Sequence, residues 1–294
     1  MNQWMKKGAV LLSLCMALCG CTLKQEEKKV RIASGADAQS QLMSEMIGLL
    51  LEKEGAQPQI IEVAEGTKSI EPAMEAGEFD LYFENTGKAW SYVLKENAPY
   101  NKNDFEDLLK AYEEKGLTWK GMQDFQLSET LAVRKDLADQ LNLKALSDLK
   151  KEGKNLVLGT EKDFLEREDG FALLKDNYGI TFGKTKILSP DLLYMQLKDG
   201  KVDLIPISVA DGRLLARKMV ALEDNLKIMP QSRIGFVVRM DSLQADPAIQ
   251  KALDALEGKL HLPDFQKLNQ RVSNDGIDPK EAAREFLTQI GLLS

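Results

Sequence analysis

Pro72-Ala73-Met74-Glu75-Ala76-Gly77-Glu78-Phe79-Asp80-Leu81 and Tyr194-Met195-Gln196-Leu197-Lys198-Asp199-Gly200-Lys201-Val202-Asp203-Leu204 are one pattern written twice. Each reads as a helix end, a glycine that stops it, and an apolar strand entered through aspartate. Glycine suits that position because it takes the left-handed conformation without a Cβ penalty. The segment after each strand holds a small-residue turn, Asn85-Thr86-Gly87 in one and Ala210-Asp211-Gly212 in the other. Ligands of open α/β sheets bind beyond the carboxyl ends of strands. Two such units therefore predict two similar lobes whose loops face a common cleft. Alone, G-x-[FV]-D-L is also ordinary helix-to-strand punctuation; the order of elements around it favours duplication.

Working outward, residues 30–33 read as a first strand. Residues 40–54 read as a helix, with Leu42, Met43, Met46, Ile47, Leu50 and Leu51 at i, i+3, i+4 spacing. Residues 59–63 form a second strand, and a turn around Gly66 leads into a helix through Met74. This alternation predicts a mostly parallel sheet covered by helices. Residues 130–134 and 234–239 are apolar strands ending in arginine, each followed by an aspartate turn, Lys135-Asp136 and Met240-Asp241. They bracket the middle of the chain, so the interlobe crossings are expected beside them. The expected lobes are 30–128 plus 236–294, and 129–235. Helices are expected at 247–257, 263–274 and 279–290, each with proline at or near its start, where the missing donor is not needed.

The first 20 residues read as a leader. Lys6 and Lys7 precede an apolar run, 8–18, of signal-peptide length and too short to span as a stable transmembrane helix. It ends in Leu18-Cys19-Gly20-Cys21, which resembles the bacterial lipobox, whose last cysteine is acylated and becomes the first residue. Of the three cysteines, Cys15 and Cys19 lie in the part removed, so Cys21 remains alone and forms no internal disulfide. A secretory leader cleaved without lipid is the alternative. Residues 21–29 read as a polar tether to the extracytoplasmic face of the cell membrane. Buried acyl methylenes contribute about 0.8 kcal/mol each to such an anchor.

The chain carries 39 basic and 46 acidic residues, a net charge of −7, and becomes more acidic without Lys6 and Lys7. That disfavours nucleic acid and anionic membrane surfaces. His261 is the sole histidine, which argues against Ser-His-Asp chemistry and excludes a multi-histidine metal site. No G-x-G-x-x-G or P-loop pattern occurs. Glu166 and Asp169 are a carboxylate pair that a glycosidase could use, but at this spacing they also suit a solvated helix face. The expectation is a monomeric binding protein, not an enzyme, with no cofactor.

Phe164-Leu165-Glu166-Arg167-Glu168-Asp169-Gly170, Val202-Asp203-Leu204, Ala210-Asp211-Gly212-Arg213-Leu214, Leu222-Glu223-Asp224 and the tail from Asp278-Pro279 to Phe286-Leu287 resemble the osmoprotectant-binding lipoproteins of ABC importers for glycine betaine, choline and carnitine. The resemblance covers nearly the whole mature chain. It implies a type II periplasmic-binding-protein fold, with two α/β lobes, a hinge and an interlobe cleft, and a membrane permease as partner.

The same resemblance shows where the site departs from the family. Its members enclose the trimethylammonium group in a box of tyrosines, a cation–π cage. At the matching positions this chain has Asn85, Glu129, Ser208, and Ser232 with Arg233, while Lys88 replaces a threonine. An aromatic in the first loop of some members falls near Ala38. Arg167 matches the arginine that pairs with the ligand carboxylate. The implied ligand residues are Asn85, Lys88, Glu129, Arg167, Ser208, Ser232 and Arg233. Structural alternatives stand beside several. Lys88 suits a solvated rim, Arg167 an ion pair with Glu166 or Asp169, and Arg233 a position one residue out of register. Trp90 and Tyr92, on the next helix, read as core. A pocket that exchanges aromatic faces for an amide, a carboxylate and hydroxyls favours a solute with N–H and O–H groups. A polar zwitterion or small acid is expected. The alternatives are a quaternary amine held by Trp90 or Tyr194 in a rearranged cage, and a ligand-sensing module of the same fold.

Overall fold

A computed structural model describes residues 29–63, 66–96, 100–167, 169–216 and 218–294. The expected leader, Cys21 and the tether through residue 28 lie outside the described residues.

Among the described residues ten strands form two five-stranded sheets. They are β1 (Lys29–Gly35), β2 (Gln57–Val63), β3 (Leu81–Asn85), β4 (Leu117–Lys120), β5 (Glu129–Arg134), β6 (Val157–Thr160), β7 (Lys184–Ile187), β8 (Leu204–Ser208), β9 (Met219–Ala221) and β10 (Ile234–Arg239). The first sheet runs β2-β1-β3-β10-β4 and the second β7-β6-β8-β5-β9. In each, three parallel strands are followed by one antiparallel strand, β10 or β5, which also pairs with an edge strand. The two sheets are therefore the same design. The chain passes between them twice, before β5 and before β10. At the crossing, Leu127 and Ser232 form an antiparallel bridge with both N···O distances at 2.7 Å.

Both sheets are packed on both faces, which explains the near-continuous apolar runs. On β10, Phe236 and Val238 join a core with helices Ala38–Lys53, Pro247–Leu256, Leu262–Ser273 and Pro279–Gln289. Val237, on the other face, joins Tyr82, Tyr112 and Trp119. In the second sheet Leu131 and Val133 share a core with Leu158 and Leu204, while Ala132 packs with Ile205, Leu193 and Leu197.

The doubled unit has a physical cause. Gly77 and Gly200 end their helices at φ 79° and 66°. A Cβ on Gly77 would lie 2.1 Å from Arg239 Nη1. Asp80 Oδ2 accepts the Arg31 N–H of the neighbouring strand at 2.8 Å, and Asp203 Oδ2 accepts the Val157 N–H at the same distance. Arg31 pairs with Asp80, and Arg134 with Asp203 while also bonding the carbonyls of Leu197 and Val202. Each aspartate thus closes the start of a parallel pair and pairs with an arginine; the preceding turn is covered by Arg239 in the first unit and by Arg134 in the second. Burial alone would raise the Asp80 carboxyl, but hydrogen bonds from Arg31 and Ser242 together hold it below its ordinary value.

Candidate functional site

A cleft of about 930 Å³ opens between the carboxyl ends of the two sheets. Asn85, Lys88 and Ser232 line it from one side, and Glu129, Arg167 and Ser208 from the other. Arg233 does not line it. Its neighbour Ser232 does, and successive side chains of an extended strand point to opposite faces. The Arg233 guanidinium instead lies 5.7 Å from the Phe105 ring and bonds the Gln123 carbonyl.

Asn85 ends β3 and caps the turn that follows. Its Oδ1 accepts from the backbone N–H groups of Gly87 and Lys88 at 2.8 and 3.2 Å. The side-chain carbonyl therefore serves the backbone, leaving the amide nitrogen as the group Asn85 offers. Gly87 is pressed against the crossing: a Cβ there would sit 2.2 Å from Ser232 Oγ. Thr86 Oγ1 accepts from Arg233 N at 2.9 Å. The ligand loop is thus fastened to the second crossing strand.

Glu84 was not singled out by sequence, yet it lines the cleft and is only 3% exposed. It accepts from Thr67 Oγ1 at 2.5 Å and from Asn85 N at 2.7 Å. Burial raises its carboxyl, partly offset by Lys88. The first loop contributes Asp37 and Gln39 rather than Ala38, which begins helix Ala38–Lys53. Phe83 and Tyr100 are the only aromatic rings in the lining among the described residues. Trp90 stands behind Tyr100 in an edge-on contact of 5.9 Å. Tyr194 is spent elsewhere, its hydroxyl on Asp211 and its ring under Arg213. Neither is part of the cleft lining.

On the opposite wall Glu129 and Ser208 are cross-strand partners at the ends of β5 and β8. The loop after β8, expected to face the cleft as the counterpart of Asn85-Thr86-Gly87, leaves it beyond Ser208. The carbonyls of Val209 and Ala210 accept from Gln266 and Asn269 of helix Leu262–Ser273. Asp211 is taken by Arg213 and Tyr194. This loop ties one lobe to the other instead of holding ligand. Arg167 pairs with Glu129, with Asp169 at 2.8 Å and with Asp163 at 3.4 Å. Glu166 pairs with Lys162 instead. Asp163 and Asp169 also line the cleft; Asp169 is the ion-pair partner that the sequence offered for Arg167, whereas Asp163 was missed. Six carboxylates, those of Asp37, Glu84, Glu96, Glu129, Asp163 and Asp169, face two cations, Lys88 and Arg167.

Two α/β lobes of one design, joined by paired crossings around a polar cleft, define a solute-binding protein of the type II periplasmic-binding-protein fold. The chain belongs to the OpuAC family, the substrate-binding domain of ABC-type glycine betaine transport systems, whose family model matches residues 28–289. Its members bind and deliver solutes and are not enzymes. The ergothioneine transport permease/ergothioneine binding protein EgtU of Helicobacter pylori is 32% identical over 269 residues, 91% of this chain and 48% of that protein. The chain thus spans about half the length of that relative. The carnitine transport binding protein OpuCC of Listeria monocytogenes is 27% identical over 289 residues, 95% of this chain and 94% of that one. Among solved structures, a glycine betaine/carnitine/choline ABC transporter matches with TM-score 0.81 and 26% identity, covering 88% of this chain and 98% of that chain. Apo YehZ from Escherichia coli matches with TM-score 0.75 and 23% identity, covering 90% and 99%.

Proposed function

We propose that the protein captures a small zwitterion carrying N–H groups beside its charged ends and delivers it to the permease of an ABC importer. It does so as a monomer on the extracytoplasmic face, anchored by lipid on Cys21. The lobes are 30–128 plus 236–294 and 129–235, moving about the Leu127–Ser232 crossing. The observation that carries the ligand class is the lining itself: six carboxylates, two cations and two aromatic rings. An excess of acid attracts a cationic group and disfavours a net anion. Hydroxyls and amides satisfy polar hydrogens that a bare trimethylammonium lacks. Ergothioneine, a histidine-derived betaine with ring N–H groups, combines both features and is named as the ligand of the Helicobacter relative. It is the first candidate.

The test is calorimetry with ergothioneine, histidine, carnitine, glycine betaine, choline and succinate. Two more satisfied hydrogen bonds, at about 1 kcal/mol each, correspond to roughly 30-fold in affinity. An N–H-bearing zwitterion should therefore bind at least about 30-fold more tightly than choline or glycine betaine. Tighter binding of choline, glycine betaine or succinate would refute the assignment.

A further inference from the structure

Each guanidinium nitrogen of Arg167 lies within ion-pair reach of a carboxylate of its own side, Nε without a hydrogen bond. Nε lies 2.8 Å from Asp169 Oδ1, Nη1 lies 3.4 Å from Asp163 Oδ2, and Nη2 pairs with Glu129. The backbone enforces this. Arg167 N donates to the Asp163 carbonyl at 2.9 Å, and Gly170 N donates to the Arg167 carbonyl at 3.2 Å. A Cβ on Gly170 would lie 2.2 Å from the Phe164 carbonyl oxygen, so the turn closes this tightly only with glycine there. Asp163 and Asp169 are therefore held beside the guanidinium by the fold.

We infer that Asp163 and Asp169 are specificity-determining residues: they mask Arg167, and an incoming carboxylate must displace them. This rests on the proposed entry of a carboxylate-bearing solute into the cleft. Asp163 is the readier partner to leave, being longer in contact and 67% exposed in its side chain, where an ion pair is weakly held. Exchange replaces one ion pair with another, so a bare anion gains little and strands an aspartate in an already acidic wall. A zwitterion avoids that cost. Its carboxylate takes the arginine, and its cationic end neutralises the carboxylate released. The two aspartates thereby select solutes that carry both charges.

The test uses acetate, a bare carboxylate that requires no knowledge of the natural solute. In ¹⁵N-labelled protein, the Arg167 Nε–H resonance is assigned by its loss in Arg167→Lys. It is then followed during an acetate titration at constant ionic strength. The wild type is compared with the Asp163→Asn/Asp169→Asn variant and with the charge-preserving Asp163→Glu/Asp169→Glu variant. The exposed single substitution Asp163→Asn guards against misfolding of the double variant. The double Asn variant should take acetate at least about ten-fold more tightly than the wild type or the Glu control, with the single variant between them. Equal affinities, or a flat titration in all of them, would overturn the inference. Failure of the zwitterion panel with a positive acetate response would count against the solute assignment alone.

Discussion

Glu71 offers the sharpest test of the energetics beneath the cleft. It is 5% exposed, on helix Thr67–Glu75, and accepts the Tyr82 hydroxyl at 2.6 Å. Burial pushes its carboxyl up from 4.5 to about 7; the Tyr82 hydrogen bond and Lys115, 3.9 Å away, offset this only in part. A raised folded value means that the folded state holds the proton more tightly than the unfolded chain. The favourable contribution is full below pH about 4.5, declines through the interval, and is gone above about 7. The shift of some 2.5 units corresponds to roughly 3 kcal/mol at 1.36 kcal/mol per unit. Glu71→Gln keeps an acceptor for Tyr82 and cannot ionise. Urea unfolding of both proteins at pH 5 and pH 8 isolates the effect, because other titrating groups are common to both. The wild type should lose roughly 3 kcal/mol more than the variant across that interval. Parallel pH dependences, within the extrapolation error of about 10–15%, would refute a buried, proton-holding Glu71.

Gly212→Ala would place a Cβ 2.2 Å from Gln270 N, against the backbone of helix Leu262–Ser273. It should cost about 1–3 kcal/mol in urea unfolding, with small-angle X-ray scattering showing altered lobe separation. Asp80→Ala strands the Arg31 N–H, while the partly exposed Arg31 guanidinium keeps its water, and should cost about 1–3 kcal/mol. Since the Asp80 carboxyl is held below its ordinary value, its contribution is present above the unfolded value and lost as pH falls through the folded one. The cost of Asp80→Ala should therefore shrink in acid, as measured by unfolding at pH 3 and pH 7. Cys21→Ser should release the protein from membranes on cell fractionation; retention equal to wild type would exclude lipid anchoring there.

The duplicated unit was legible because its residues perform the same task twice. Asp80 and Asp203 each accept a backbone N–H near the start of a neighbouring parallel strand, which fixes their place before an apolar run. The long helices were equally legible from their apolar spacing. Strands β4, β6, β7 and β9 were not, being three or four residues long. Lys184–Ile187 is mostly exposed and shows no alternation to read. The loop after β8 misled because a small-residue turn suits either a ligand or close packing. Only the fold shows Gly212 against a helix backbone.

The site was legible through the family resemblance, which placed six residues on the cleft, and it failed where side-chain direction or distant partners decide. Arg233 fell to strand alternation, and Glu84 was hidden between quoted neighbours although it places a buried carboxyl on the cleft. These misses matter to the ligand argument. With tyrosines at positions 85, 129, 208 and 232, ring faces would hold a cation by contact, and wall carboxylates would add little. With an amide, a carboxylate and hydroxyls there, attraction must come from the field of Asp37, Glu84, Glu96, Glu129, Asp163 and Asp169. A field distinguishes charge but not size or methylation. On the proposed reading, discrimination among cations then falls to the groups that need partners once the cleft closes. A solute bearing N–H groups satisfies them, whereas a methylated ammonium with no N–H elsewhere in the molecule leaves each at a cost of about 1–3 kcal/mol.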